Sequence, residues 1–99
     1  MGSSSNLQRR GVVIGAGLDK TIVLGFKPSR VVVHNITDRI SAEKSDTMPD
    51  DKALNRDAGG TGTYVDRITL TSDGFTMLAA VAIADKELHY YAEESKNEG

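Results

Sequence analysis

Apolar and polar positions alternate along this chain in short runs. Gly11-Val12-Val13-Ile14, Thr21-Ile22-Val23-Leu24, Arg30-Val31-Val32-Val33, Ile68-Thr69-Leu70, Phe75-Thr76-Met77-Leu78 and Leu88-His89-Tyr90-Tyr91 are cut by Gly, Pro and Asp-Gly roughly every eight to twelve residues. No apolar period of 3.6 persists for a helix's length; Met77–Ala84 comes nearest and is too short and alanine-rich to decide. The rhythm predicts an all-β domain of about seven or eight strands, a small β-sandwich or flattened barrel, with a jelly-roll-like arrangement among the candidates and an extended N-terminal arm.

Residues 11 to 36 read as three strands, broken at Gly15–Asp19 and Gly25–Ser29. Pro28 lacks a donor and suits the start of the third strand rather than its middle. That strand, Val31 to Ile36, opens apolar on both faces and is expected to be central and covered on both sides. Residues 37 to 63 are polar and acid-rich, with weak, solvent-facing edge strands expected at Ser41–Met48 and Lys52–Arg56 within an exposed, adaptable surface. Asp66–Ser72 and Phe75–Leu78 flank Ser72-Asp73-Gly74, a hairpin signal. A turn at Ala84-Asp85-Lys86 leads to the last strand, where Leu88 and Tyr90 share one face and His89 and Tyr91 the other. The expected core is Val13, Ile22, Leu24, Phe26, Val31, Val33, Ile68, Leu70, Phe75, Met77, Leu88 and Tyr90.

A chain of 99 residues is one domain. Residues 1–10 read as a flexible arm, 11–92 as the β body and 93–99 as an acidic flexible tail. Five aromatic residues and no Trp leave a thin core, so oligomerisation is the expected source of extra stability. The absence of cysteine excludes disulfides, cysteine-based zinc sites and thiol nucleophiles. No apolar run approaches the ~20 residues of a membrane span, and Met1 to Asn6 lack a signal-peptide layout; a soluble protein made in the cytoplasm is expected. The net charge of −2 hides an asymmetry. Residues 1–30 hold five cations, Arg9 and Arg10 among them, against Asp19 alone, and the remainder is acidic. The cations are spread out and lack interleaved aromatics, so nucleic acid is not an expected partner.

Motifs that suggest chemistry fail on inspection. Gly15-Ala16-Gly17 matches the opening of a dinucleotide fingerprint, but Lys20 stands at the third glycine and β-like residues follow. Asp19-Lys20-Thr21 imitates the end of a phosphate loop with a repelling carboxylate in place of glycine. Asp46, Asp50 and Asp51 lack the spacing of a calcium loop and have Lys44 and Lys52 beside them. His34 and His89 are the only candidate bases, with no nucleophile motif nearby. The expectation is therefore no enzyme activity, no catalytic residue, no metal and no cofactor.

Leu24-Gly25-Phe26-Lys27-Pro28-Ser29-Arg30-Val31-Val32-Val33-His34-Asn35-Ile36-Thr37-Asp38, then Ile68 to Thr76 and Leu88-His89-Tyr90-Tyr91-Ala92, resemble small β-rich virion proteins of tailed bacteriophages. The match spans most of residues 20–92, and such modules occur in capsid decoration proteins and in tail or fibre components alike. The resemblance implies a non-enzymatic structural subunit of the virion: a decoration (cement) protein bound to the major capsid protein in many copies, itself a homo-oligomer with a trimer favoured, without nucleic acid or membrane. Its location would be the capsid surface. The alternative is a tail or fibre component, with host-receptor or glycan binding. Aromatics that fibre-like relatives carry around the segment equivalent to Glu43–Met48 are missing, which favours decoration. Leu7, Arg9, Arg10, Tyr64 and Tyr91 are the expected capsid or subunit contacts.

Overall fold

The computed structural model describes residues 7–94. Within them the chain forms nine strands and no helix: β1 (Leu7–Ile14), β2 (Lys20–Val23), β3 (Arg30–Asn35), β4 (Ile40–Ser45), β5 (Lys52–Arg56), β6 (Gly62–Asp66), β7 (Ile68–Thr71), β8 (Gly74–Met77) and β9 (Glu87–Glu94). A six-stranded sheet ordered β1-β9-β3-β4-β5-β6 faces a three-stranded sheet ordered β2-β8-β7, and all pairings are antiparallel. The all-β class, consistent with a small sandwich, is as the alternation predicts. β1 with β9 and β2 with β8 form nested pairs from the two ends of the chain, whereas β3 to β6 run as a meander that widens the larger sheet.

The core lies between the sheets. Val31 and Val33 of β3, Leu88 and Ala92 of β9, Ile22 of β2, Ile68 of β7 and Phe75 and Met77 of β8 are buried there. Val13, Leu70 and Tyr90 are partly buried against them. Three strands cannot cover six, and two connections cover the rest. In residues 24–29, Leu24, Phe26 and Pro28 alternate inward; in residues 78–86, Val81 and Ala82 do so.

Four sequence expectations need correction. Strand β1 begins at Leu7, not Gly11, because Leu7 to Arg10 pair with Glu94 to Tyr91; four residues assigned to the arm and two assigned to the tail are sheet. Residues 1–6 and 95–99, the remainder of the arm and tail, lie outside the described residues. Strand β3 is central in hydrogen bonding but covered on one face only: Val31, Val33 and Asn35 are buried while His34 is exposed. The polar strands β4 and β5 are interior to the sheet, not edges, since β6 pairs beyond β5. Finally, the run expected as one strand over Asp66–Ser72 is two, β6 and β7. The chain changes sheets at Arg67, held by Arg67 N–H donating to the Asp51 carbonyl at 2.8 Å.

The predicted hairpin forms, with Thr71 paired to Gly74. Its glycine serves a purpose other than a left-handed turn: a Cβ at Gly74 would sit 1.9 Å from the Ile22 carbonyl oxygen of β2. The close approach of β2 and β8 requires glycine at this position.

Lys44 is the most unusual core residue. Its β4 position faces inward and it is 2 % exposed. The ammonium donates to the Pro49 carbonyl at 2.7 Å and the Lys52 carbonyl at 2.8 Å, so the β4–β5 connection is wrapped around it. Burial holds its pKa below the ordinary 10.5, opposed by the nearby charges of Asp50 and Asp51. Between the lowered native value and 10.5 the unfolded chain binds more protons, so this group makes stability rise with pH across that window. The Tyr91 hydroxyl, raised chiefly by its hydrogen bond to Glu93, acts with the opposite sign at high pH. Comparison with Lys44→Met isolates the lysine: urea midpoints measured from pH 7 to about 10.5 should climb more, relative to the variant, as pH rises. An identical pH profile in the two proteins would remove the buried-ammonium account.

Candidate functional site

The outer face of the six-stranded sheet is where the exposed chemistry gathers. Side chains alternate across a strand, so the register fixes which residues stand side by side. One row runs from edge to edge: Arg10, Tyr91, Val32, Glu43, Leu54 and Tyr64, each directly opposite the next. A neighbouring row holds Val12, His89, His34, Ser41 and Arg56. On the other side stand Gln8, Glu93, Arg30 and Ser45.

Local pairings organise this face. The Arg10 guanidinium lies 5.4 Å from the Tyr91 ring centroid, a cation–π contact. The Tyr91 hydroxyl donates to Glu93 Oε1 at 2.8 Å. Arg30 Nε donates to Glu43 Oε2 at 2.9 Å, and that hydrogen bond and charge raise the guanidinium pKa further. Lys52 and Asp66 pair at 2.7 Å at the β5–β6 end. These ion pairs are well exposed, so each is worth about 0–1 kcal/mol and serves chiefly to orient side chains.

Two depressions flank the long row. One, of about 410 Å³, is open to solvent over Arg10, Val12, His34, His89 and Tyr91. The other, of about 570 Å³, is bordered by Met48, Pro49, Lys52 and Tyr64. Tyr64 is 64 % exposed and Val12 is 53 % exposed.

Of the five contact residues expected from sequence, the fold brings Arg10, Tyr91 and Tyr64 into one row although 54 positions separate the first from the last. Leu7 and Arg9 do not join them: they share the parity of Gly11 and Val13, whose row faces the core, and project from the opposite side of β1. Val12, Val32, His34 and Leu54 belong to the same surface and were not expected there. Their signal is the alternation of their own strands, but the order in which strands pair is needed to read it.

The remaining motifs find structural roles. Gly15 N–H donates to the Lys86 carbonyl at 3.0 Å and β2 follows, so there is no helix N-terminus for a pyrophosphate. Asp19 Oδ1 accepts from the Ala79 N–H at 2.8 Å, tying the β1–β2 connection to residues 78–86. Asp51 adopts a left-handed φ of 68° and its carboxylate accepts from the Thr69 hydroxyl. Among the described residues, no group of three or more His, Asp or Glu side chains is arranged around an ion. His89 Nε2 is hydrogen-bonded to Glu87 Oε1 at 3.0 Å.

Together these features define an all-β two-sheet domain with a broad, mixed apolar and charged face. Compared with known proteins, the chain matches no protein-family model, no curated protein and no solved structure.

Proposed function

We propose that this protein is a non-enzymatic structural subunit of a tailed-phage virion, a capsid decoration protein that docks on the major capsid protein through the outer face of its large sheet. The observation that carries the reading is the row from Arg10 to Tyr64. It spans all six strands on an open face and combines Tyr, Arg, Leu and Val, residue types suited to a protein contact, with aromatic and Arg side chains enriched at such interfaces. The resemblance of residues 24–38, 68–76 and 88–92 to small virion proteins supplies the partner, and a homo-oligomer, with a trimer favoured, supplies repeated contacts that reinforce one another on a symmetric shell. Arg10 acts in this reading from within strand β1.

Labelling and electron microscopy of purified virions test the assignment directly. Many copies over the head are expected. A few copies at a vertex or along the tail would transfer the protein to the tail and fibre class, and absence from particles would end the virion reading. The face is tested by Tyr64→Ala with Arg10→Glu, both exposed positions. Capsid occupancy should fall by roughly thirtyfold or more at limiting protein, the loss of about 2 kcal/mol of anchoring contact from the two ends of the row, while the circular dichroism spectrum stays that of the parent. Undiminished occupancy would move the contact to another surface.

A further inference from the structure

We propose that His34 and His89 form an open, two-imidazole site for a divalent transition-metal ion. The two are direct partners in the β3–β9 register, and both project from the outer face. Facing residues on adjacent antiparallel strands hold their Cβ atoms about 4.5–5.5 Å apart, a separation that lets two imidazoles converge on one ion. They line the same solvent-open depression, so the space above them is accessible.

The second observation concerns which nitrogen is available. His89 Nε2 lies 3.0 Å from Glu87 Oε1. A carboxylate only accepts, so Nε2 carries the hydrogen and the neutral ring keeps its lone pair on Nδ1. A carboxylate that holds the far nitrogen of a histidine is the usual support of a metal-bound imidazole, fixing tautomer and ring orientation. Arg10 borders the same depression and its charge opposes a cation, but it is stacked on Tyr91 one row away. The carboxylates of Glu87 and Glu93 stand on the same face of β9 and offset it. Two protein ligands leave the other coordination positions to water. Nitrogen donors of this kind favour copper, nickel and zinc over calcium or magnesium.

This inference does not depend on the virion reading. The untagged full chain is titrated with nickel and zinc chloride by calorimetry, and the imidazole resonances are followed by nuclear magnetic resonance. One ion per chain is expected, with both rings perturbed together, and H34Q and H89Q should each weaken binding by roughly tenfold or more. Both positions are solvent-facing, so the variants should retain the parent's circular dichroism. Equal affinity in the doubly substituted chain, a perturbation confined to one ring, or no binding would overturn the site.

Discussion

Phe75→Ala is expected to lower the unfolding free energy by about 3–5 kcal/mol. Phe75 is fully buried at the second residue of β8, the middle strand of the small sheet. It stands directly opposite Ile22 on one side and Leu70 on the other. Its ring meets Tyr90 of the large sheet edge-on, with centroids 5.7 Å apart and planes at 66°. Truncation therefore removes apolar contact with both sheets at once and leaves a void that β8, hydrogen-bonded on both edges, is poorly placed to close. A domain of this size has about 5–15 kcal/mol in total, so the loss should appear as a fall in Tm of roughly 15 °C or more. Chemical unfolding with an unchanged m-value would confirm a stability effect; a loss under about 1 kcal/mol would mean that the two sheets are not joined through this ring.

The second large effect is expected at Gly15. An alanine Cβ there would lie 2.1 Å from the Ile83 carbonyl oxygen and within 2.8 Å of the Ala82 carbonyl carbon and oxygen. These are backbone atoms, which cannot rotate away as a side chain would. The contact is also fastened from both directions, by Gly15 N–H to the Lys86 carbonyl and by Asp85 N–H to the Gly15 carbonyl. Relief requires residues 78–86, which carry the buried Val81 and Ala82, to lift off the core. Gly15→Ala should cost about 3 kcal/mol and accelerate hydrogen exchange at Asp85 and Gly17, whose amides donate across this contact. Parent-like exchange and stability would show that the connection can shift without consequence.

Gly15 also illustrates how a sequence can be read correctly in outline and wrongly in cause. Its place in Gly-Ala-Gly suggests a nucleotide fold and then fails for want of a helix; what demands glycine is a strand end crossed by a segment nearly seventy residues later. Gly74 marks a hairpin as predicted, yet for the sake of β2. Local patterns identify such elements because alternation and turn chemistry are properties of neighbours in sequence. Pairing order is not. The row joining Arg10 to Tyr64 exists only once β9 has inserted between β1 and β3, an arrangement no local window contains.

The core follows the same division. Val31, Val33, Ile68, Phe75, Met77 and Leu88 stand out by hydrophobicity and are buried as expected. Ala42, Ala53, Ala82 and Ala92 are equally buried, but one methyl group gives too weak a signal to distinguish a core position from an exposed one. Lys44 runs against the signal altogether. Its charge places it on the surface until the fold shows two carbonyls turned inward to receive it. Residues 37–63 consequently look looser in sequence than they are: Lys44 donates to two backbone carbonyls, and Asp57 Oδ1 accepts from the Gly59 and Thr61 N–H groups.

The strand count of the large sheet has a consequence for assembly. Six strands, each antiparallel to the next, leave β1 and β6 running in opposite directions at the two margins. A neighbouring copy generated by rotation about an axis along the strands therefore presents its β1 to this β6 with opposed polarity, the alignment that continues an antiparallel ladder. With five or seven strands the same operation would bring like-directed margins together. Parity thus gives the two margins the strand polarity that a head-to-tail antiparallel junction requires.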